Sequence, residues 1–366
     1  MTTVQVPATL DEQLETFADS LLGAALATAE LTIAHLGRAL GLYAALRGEA
    51  DGLTPPEVAS RCGVDERYAR EWLEHQAVAG VVIVDDPDSA ASERRYVLPE
   101  AHAIVILDEE HPAYVGALTD IPPVVARTLD QVTSAFRSGA GVPFAAYGLH
   151  DMQAGFTRPM FATSLVGEWL PALPEVHARL QAGEQLRLAD FGCGEGWAAI
   201  YLAEAYPNVT VDGFDLDDAS IATARKHAAD RGVADRARFE VRDITDPGLD
   251  GAYDLAMACE VIHDLPDPVG ALTTMRRVTG DAGAVLIIDE KAADTFTPDG
   301  DPIERLLYAF SILHCLPAGR DAVSSVCTGT VMRPDIFAGY ATAAGFGTVE
   351  QLPVEHPMFR FYRPVH

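Results

Sequence analysis

The chain is short of positive charge. Lys and Arg number 26 against 54 Asp and Glu, a formal net charge of −28 over 366 residues. Nucleic-acid binding rests on neutralising phosphates, so no nucleic-acid partner is expected. Part of the acidic excess serves solubility. Cysteine is scarce and unpaired in pattern: Cys62, Cys193, Cys259, Cys315 and Cys327 are scattered and odd in number. No C-x-x-C pair occurs, which leaves neither a disulfide framework nor a zinc ribbon. A reduced, cytoplasmic protein is the expectation. No uninterrupted apolar run of membrane length is read, so no membrane partner is expected. The opening MTTVQVPATLDEQ lacks the positive charge and apolar region of a secretory leader. There is no internal repeat and no long low-complexity linker. The length suffices for two domains and a large core.

What the chain does have is concentrated in Leu186–Gly196, LRLADFGCGEG. Leu186, Leu188 and Phe191 read as a buried strand that carries Asp190 near its end. Gly192, Gly194 and Gly196 alternate after it, and Trp197–Tyr206 reads as a helix. Strand, glycine turn and helix make the first crossover of a nucleotide-type α/β fold. Glycine lets the loop bend sharply and bring its backbone against a ligand. A dinucleotide loop would read G-x-G-x-x-G, but here the third glycine comes one residue early and Trp197 takes its place. A phosphate loop would need Lys followed by Ser or Thr, and neither is present. Asp190 and Glu195 bracket the turn instead. Two carboxylates repel phosphate and suit a ligand with a sulfonium and an ammonium group, a description that fits S-adenosylmethionine.

Two further strand ends carry acids. Val209, Val211 and Phe214 lead to Asp215, about twenty residues past the glycines, placed to take both ribose hydroxyls. Asp217 caps the next helix, Ala219–Asp230, and Gly232 stops it. Phe239 and Val241 lead to Arg242-Asp243-Ile244, where Asp243 can accept from an adenine amino group and the Ile244 N–H can donate to the ring.

DFGCGEG, GFDLD, VRDI, YDLAMACEVIHDL and AGAVLIIDEK together resemble the catalytic domain of class I S-adenosylmethionine-dependent methyltransferases, from about Glu184 to Val365. The resemblance implies that Asp190, Gly192, Gly194 and Gly196 line the methionine part of the cofactor. It implies Asp215 beside Leu216 at the ribose and Asp243 with Ile244 around the adenine. Glu260 and Arg158 join the expected cofactor residues, with Phe156 as a further cofactor-side position on Gly155–Trp169. The implied fold is α/β, a doubly wound, seven-stranded, mostly parallel sheet whose last hairpin, Thr348–Leu352 and Met358–Tyr362, is reversed.

The N-terminal part reads as a separate helical unit. Leu14–Arg47 is helical in pattern and interrupted near Gly37 and Gly41. Thr54-Pro55-Pro56 starts a second helix and Asp65 caps a third. Val81–Val84 and Tyr96–Leu98 read as a two-stranded wing. The order resembles a winged helix, but the would-be recognition helix carries Asp65, Glu66, Glu71 and Glu74 against Arg67 and Arg70, the wrong charge for a DNA groove. Small-molecule O-methyltransferases carry such a domain for dimerisation, and the apolar Leu21–Leu46 suits a homodimer interface. The expected organisation is 1–105 winged-helix domain, 106–183 helical connector over the cofactor, and 184–366 catalytic domain with an insertion at 292–330.

The chemistry is expected after the fourth strand, Tyr253–Cys259, where Glu260-Val261-Ile262-His263-Asp264 leaves the ligand-binding edge. His263 is the candidate general base, because a histidine pKa sits near working pH. By resemblance to small-molecule O-methyltransferases, Asp289 on the fifth strand orients it. Two departures stand out: Leu265 replaces the usual Trp after the His-Asp pair, and no second orienting Glu occurs near Thr328–Asp335. Helix spacing in Ile303–Leu316 places Phe310 and His314 on one face, where they can meet the acceptor or supply another base. A narrower family of winged-helix methyltransferases shares the TRPMF…LVGEWLPALP junction, the AxxxIHDL turn and the LHC insertion, with acceptors that are poorly defined. The expectation is methyl transfer to a small-molecule hydroxyl. Transfer to nitrogen or carbon without a His base, a methyl-donor-sensing DNA regulator, and a metal site built from His263, Asp264, His314 and Cys315 stay open.

Overall fold

The computed structural model describes residues 9–298, 300–322 and 324–366. Most of the opening stretch read for a leader lies outside them. The chain forms two compact units, Met1–Pro123 and Val124–His366.

The first unit is helical with a small wing. α1 spans Leu10–Ala39, and a capping box of Thr9 with Glu12 satisfies its first N–H groups. It passes Gly37 unbroken and ends at Leu40-Gly41, so the interruption expected near Gly37 does not occur. Gly37 is needed for packing instead: a Cβ there would lie 2.5 Å from both Trp72 and Tyr43. α2 (Leu42–Leu46), α3 (Pro55–Cys62) and α4 (Glu66–Val78) follow, the last two capped by Thr54 and Asp65 as read. β1 (Ile83–Asp85) and β2 (Arg95–Val97) pair antiparallel, shifted by one or two residues from the expected wing. α5 (Glu100–Leu107) closes the core around Leu46, Val58, Leu73, Trp72 and Tyr96.

One expectation needs correction. By length and composition α1 is long and apolar enough to cross a membrane. Between Asp19 and Arg38 only Glu30 is charged, but alanines and the supposed break at Gly37 hid the run. Leu10, Leu14, Phe17 and Leu21 recur at four-three-four spacing along it and are exposed.

The second unit is built on seven strands: β3 (Arg187–Phe191), β4 (Thr210–Asp215), β5 (Ala237–Val241), β6 (Leu255–Cys259), β7 (Ala284–Glu290), β8 (Thr348–Gln351) and β9 (Phe359–Val365). Their order is β5-β4-β3-β6-β7-β9-β8, all parallel except β9, which runs against β7 and β8. The reversed hairpin is therefore present. Both faces are covered, as a parallel sheet requires. Leu188, Leu286 and Ile288 face one apolar cluster with Trp169 and Ile200. Ala189, Val285 and Ile287 face the other, with Leu272, Met275 and Phe337. The helices are α6 (Ile121–Ser138), α7 (Phe144–Tyr147), α8 (His150–Met160), α9 (Pro174–Gln181), α10 (Trp197–Ala205), α11 (Asp218–Asp230), α12 (Pro268–Thr279), α13 (Pro302–Phe310), α14 (Leu316–Gly319) and α15 (Pro334–Ala343). α8 and α13 each run on into a wider turn of i→i+5 type, over Phe161–Trp169 and Ser311–Cys315. Such turns are frequent near functional sites. The strand order reverses between β3 and β6, which opens the crevice where ligands bind in this class of sheet.

Candidate active site

The crevice is a cavity of about 560 Å³ at the carboxyl ends of β3, β4, β5 and β6. Its floor is the glycine turn after β3. Gly192 and Cys193 donate their N–H groups to the Phe214 carbonyl at 2.7 and 3.1 Å, which pins the turn to β4. Gly192 has φ +73°, and a Cβ would lie 2.5 Å from Val261. Gly196 has φ +80° and seats against the Phe239 ring, where a Cβ would also come within 2.5 Å. One Asp215 oxygen accepts from the Gly194 N–H and the other from Asp217, both at 2.9 Å.

The electrostatics of this end are one-sided. Asp190, Glu195, Asp215, Asp217, Glu260 and Asp264 line the cavity, against Arg242 and His150. Asp190 is 3% exposed, and its Oδ2 has no hydrogen-bond partner. Burial, with Asp215 nearby, pushes its pKa up to about 7. Burial also raises Asp215 and lifts Glu260 to about 8. Glu260 holds φ +56°, a left-handed backbone rare for a residue with a side chain. A cavity that keeps carboxylates desolvated and one oxygen unpaired suits a cationic ligand. The ammonium and sulfonium of S-adenosylmethionine fit that donor set.

Not every expected cofactor residue reaches the cavity. Asp190, Gly192, Gly194, Asp215, Leu216, Ile244 and Glu260 line it. Gly196 lies beneath the turn and does not. The Asp243 carboxylate is turned back to accept from the Thr245 N–H and hydroxyl at 2.8 and 2.7 Å, and Arg242 lines the wall instead. The Arg158 guanidinium lies 3.8 Å over the Trp197 ring, which also stacks on the His227 and Tyr201 rings at 4.4 and 5.8 Å. That stack holds Arg158 outside the lining, a cation–π contact taking the place of a cofactor contact. Phe156 packs against the core and is outside the lining too.

The His263–Asp289 pair is present. His263 Nδ1 lies 2.8 Å from Asp289 Oδ1. The same nitrogen is 2.8 Å from Glu290 Oε2, and Nε2 is 3.2 Å from Asp264 Oδ1. Burial alone would lower the pKa of this ring, but Asp264, Glu290 and Asp289 outweigh it and hold it well above the ordinary value. Asp264, in turn, is drawn down to about 2 by His263 despite its own burial. His263 is enclosed and does not line the cavity, whereas Asp264 does.

His314 and Phe310 stand outside the lining as well. The helix runs through the wider turn at Ser311–Cys315 between the two positions. His314 packs edge-on to Tyr147 and Phe144 at 4.6 and 5.8 Å. Its Nε2 is buried without a partner, and burial lowers its pKa.

His263, Asp264 and Cys315 bring donor atoms within 4.8 Å of one another, as do His263, Asp289 and Glu290. His314 does not join either group among the described residues. The 2.8 Å separations at His263 Nδ1 are hydrogen-bond lengths. Donors sharing a tetrahedral ion at about 2.0–2.2 Å would stand roughly 3.4 Å apart. His263 Nδ1 is hydrogen-bonded to Asp289, while the facing oxygens of Glu290 and Asp264 have no hydrogen-bond partner.

Sequence reasoning missed three contributors. Glu290 was passed over because strand alternation gives only one of two neighbours to a face; the strand ends there, and both carboxylates turn to His263. Asp264 was read as half of a pair, not as the half that faces the cavity. The connector was expected over the cofactor, but the residues of its roof were not named: Pro143, Phe144 and Ala145, then His150, Gln153, Ala154, Thr157 and Phe161. The last five fall at i, i+3, i+4, i+7 and i+11, the spacing of one helix face, and that was the available signal.

Comparison with known proteins follows this geometry. Residues 183–306 match the family model "Methyltransferase domain". Residues 27–107 match "Rv2258c-like winged HTH domain". A 27-O-demethylrifamycin SV methyltransferase of Amycolatopsis mediterranei is 33% identical over 111 residues, 30% of this chain and 40% of that protein. A 2-heptyl-1-hydroxyquinolin-4(1H)-one methyltransferase of Mycobacteroides abscessus is 30% identical over 133 residues, 35% of this chain and 56% of that protein. The matches thus span less than two thirds of these relatives. Human N-acetylserotonin methyltransferase, solved with SAM, superposes with a TM-score of 0.67 at 16% identity, covering 98% of this chain and 99% of that one. An O-methyltransferase from neocarzinostatin biosynthesis, solved with S-adenosyl-L-homocysteine and 1,4-dihydroxy-2-naphthoic acid, superposes at 0.58 and 17% identity, covering 92% and 96%. At these identities the likeness shows the fold, a methyltransferase fold behind a helical winged domain.

Proposed function

We propose that this chain, which carries a methyltransferase domain and a winged helix-turn-helix domain, transfers a methyl group from S-adenosylmethionine to a hydroxyl of a small apolar acceptor. The observation that carries the cofactor is the glycine cradle with the unpaired, buried Asp190 beside it. When bound, the cofactor supplies an electrophilic methyl on a sulfonium. Asp190 and Glu195 offer carboxylates to cationic groups, and Asp215 keeps lone pairs free for hydroxyls.

The acceptor end is apolar. Phe144, Leu265, Pro266 and Ala318 line it, with Asp264 among them. Small molecules bind in concave apolar sites of this kind with few polar groups. The name of the rifamycin relative, whose substrate is a 27-O-demethyl compound, supports oxygen as the methylated atom. His263 stays in the proton pathway, reaching the cavity through Asp264. The exposed apolar stripe of α1 favours a homodimer, and the acidic α4 favours no contact with DNA. Scarce cysteine favours a cytoplasmic setting.

Calorimetry tests the cofactor. S-adenosylmethionine and S-adenosylhomocysteine should bind, with NAD and ATP silent. Binding of NAD alone would overturn the assignment. Labelled methyl donor with candidate acceptor extracts, followed by mass spectrometry, then identifies the product. A methyl found on nitrogen or carbon would correct the hydroxyl reading.

A further inference from the structure

An imidazole takes a proton only through a nitrogen that still has a lone pair. At His263 each nitrogen faces a carboxylate: Nδ1 is 2.8 Å from Asp289 and from Glu290, and Nε2 is 3.2 Å from Asp264. Against burial, these acids hold the ring's pKa well above its ordinary value, which favours a proton on both nitrogens, an imidazolium. Its side chain is 2% exposed, against 23% for Asp264. Of the pair, only Asp264 lines the cavity. The ring cannot serve as the base, and the carboxylate in front of it is the group an acceptor meets.

We propose that Asp264 receives the acceptor's hydroxyl proton, that His263 is the positioning cation behind it, and that the acceptor is a neutral alcohol or phenol rather than an anion. This rests on the methyl-transfer reading above. The hydroxyl oxygen's lone pair forms the new C–O bond, and the S–CH₃ bond breaks with its electron pair left on sulfur. The O–H bond breaks toward Asp264, which becomes a carboxylic acid and later returns the proton to water. A hydroxyl gaining a methyl becomes far more acidic, so a carboxylate is basic enough late in the transfer. His263, braced by Asp289 and Glu290, holds Asp264 ionised and in place for the next turnover.

The charge surroundings give the substrate class. Asp264 faces His263 on its own turn, His314 and Cys315 after α13, and Tyr147 on α7. Behind His263 stand Asp289 and Glu290 of β7, with Glu260 at the end of β6. No side chain in that set other than His263 is a fixed cation. An anionic acceptor would meet like charge in a partly desolvated site, which is unfavourable.

The experiment uses the full chain saturated with S-adenosylhomocysteine, titrated calorimetrically with 1-naphthol and with 1-naphthoate. The wild type should bind the naphthol and bind the carboxylate at least tenfold more weakly. D264N should bring the two within about threefold. Equal binding by the wild type, an unchanged preference in D264N, or failure of 1-naphthol to bind overturns the inference. Nitrogen-15 spectra of the wild-type histidine rings give a second readout that needs no variant to fold. The signal absent in H263N should be doubly protonated at pH 8, and a neutral ring overturns the inference. In turnover, D264N should lose roughly 10²–10⁴ in kcat with cofactor affinity unchanged. That loss should shrink for phenols already ionised at the assay pH, which a merely structural role would not produce. A wild type that fails to bind S-adenosylhomocysteine at all would sink the methyltransferase reading instead, a distinct result.

Discussion

Asp190 should be a liability to the empty protein and an asset to the bound one. Its carboxyl is 3% exposed with one oxygen unpaired, and burial raises its pKa from 3.8 to about 7. In the unfolded chain it titrates near the ordinary value. Below pH 4 it is protonated in both states and contributes no penalty. Between pH 4 and 7 the unfolded chain ionises while the folded one resists. Folding therefore loses about 1.4 kcal/mol per pH unit across that window, levelling off above pH 7. The accumulated penalty is about 4 kcal/mol, an upper value because Asp215 shares the site. Asp190→Asn keeps the shape and removes the charge. Urea unfolding without cofactor should find the variant about as stable as wild type at pH 4.5. At pH 8 it should be more stable by roughly 2–4 kcal/mol. The variant should also lose the affinity for S-adenosylmethionine that the ionised carboxylate provides. In the wild type that affinity should rise with pH up to about 7, because binding a cation requires the proton to leave. A variant equally or less stable at pH 8, or cofactor affinity flat from pH 5.5 to 7.5, would refute the electrostatic reading of this residue.

Four shorter predictions follow from other parts of the chain. Asp215→Ala should weaken S-adenosylmethionine by about 1–3 kcal/mol in calorimetry, the scale for charged hydrogen bonds. Gly196→Ala should cost about 1–3 kcal/mol in denaturant unfolding, since φ is +80° and the new Cβ would lie 2.5 Å from the Phe239 ring. Sedimentation should find a dimer that Phe17→Glu converts to monomer, because Phe17 sits on the exposed α1 stripe. A gel shift at low salt should show no DNA complex at micromolar protein, given Glu66, Glu71 and Glu74 on α4.

The strand-borne part of the site was legible because its signals are local. Asp190 and Asp215 end apolar runs, and Gly192, Gly194 and Gly196 have positive φ, which only their residue type allows cheaply. The reversed hairpin was anticipated from the family resemblance, not from a local signal. Side-chain direction was not legible. Whether Asp243 faces a ligand or its own Thr245 depends on a turn, and whether Glu290 joins Asp289 depends on where β7 stops. The Phe310–His314 pair does not line the cavity, because helical spacing says which residues share a face and not what that face meets; His314 packs against Tyr147 and Phe144 instead. The roof was legible only as a connector over the cofactor; its individual residues were not, because they lie on short helices broken by prolines before the first strand.

That roof has a consequence of its own. The floor of the cavity is fastened by hydrogen bonds along parallel strands, so a change there disturbs the whole ladder. The roof, from Pro143 to Phe161, belongs to no strand and is held by contacts of its own, among them Arg127 donating to the Gly148 carbonyl and His150 paired with Asp217 at 3.1 Å. Two walls of one cavity thus answer to different constraints. Substitutions at Phe144, Gln153, Ala154 or Thr157 can reshape the chamber while the cradle for the methyl donor stays as it is. A chain built this way can exchange one acceptor for another by altering a few helix positions, and keep the same donor throughout.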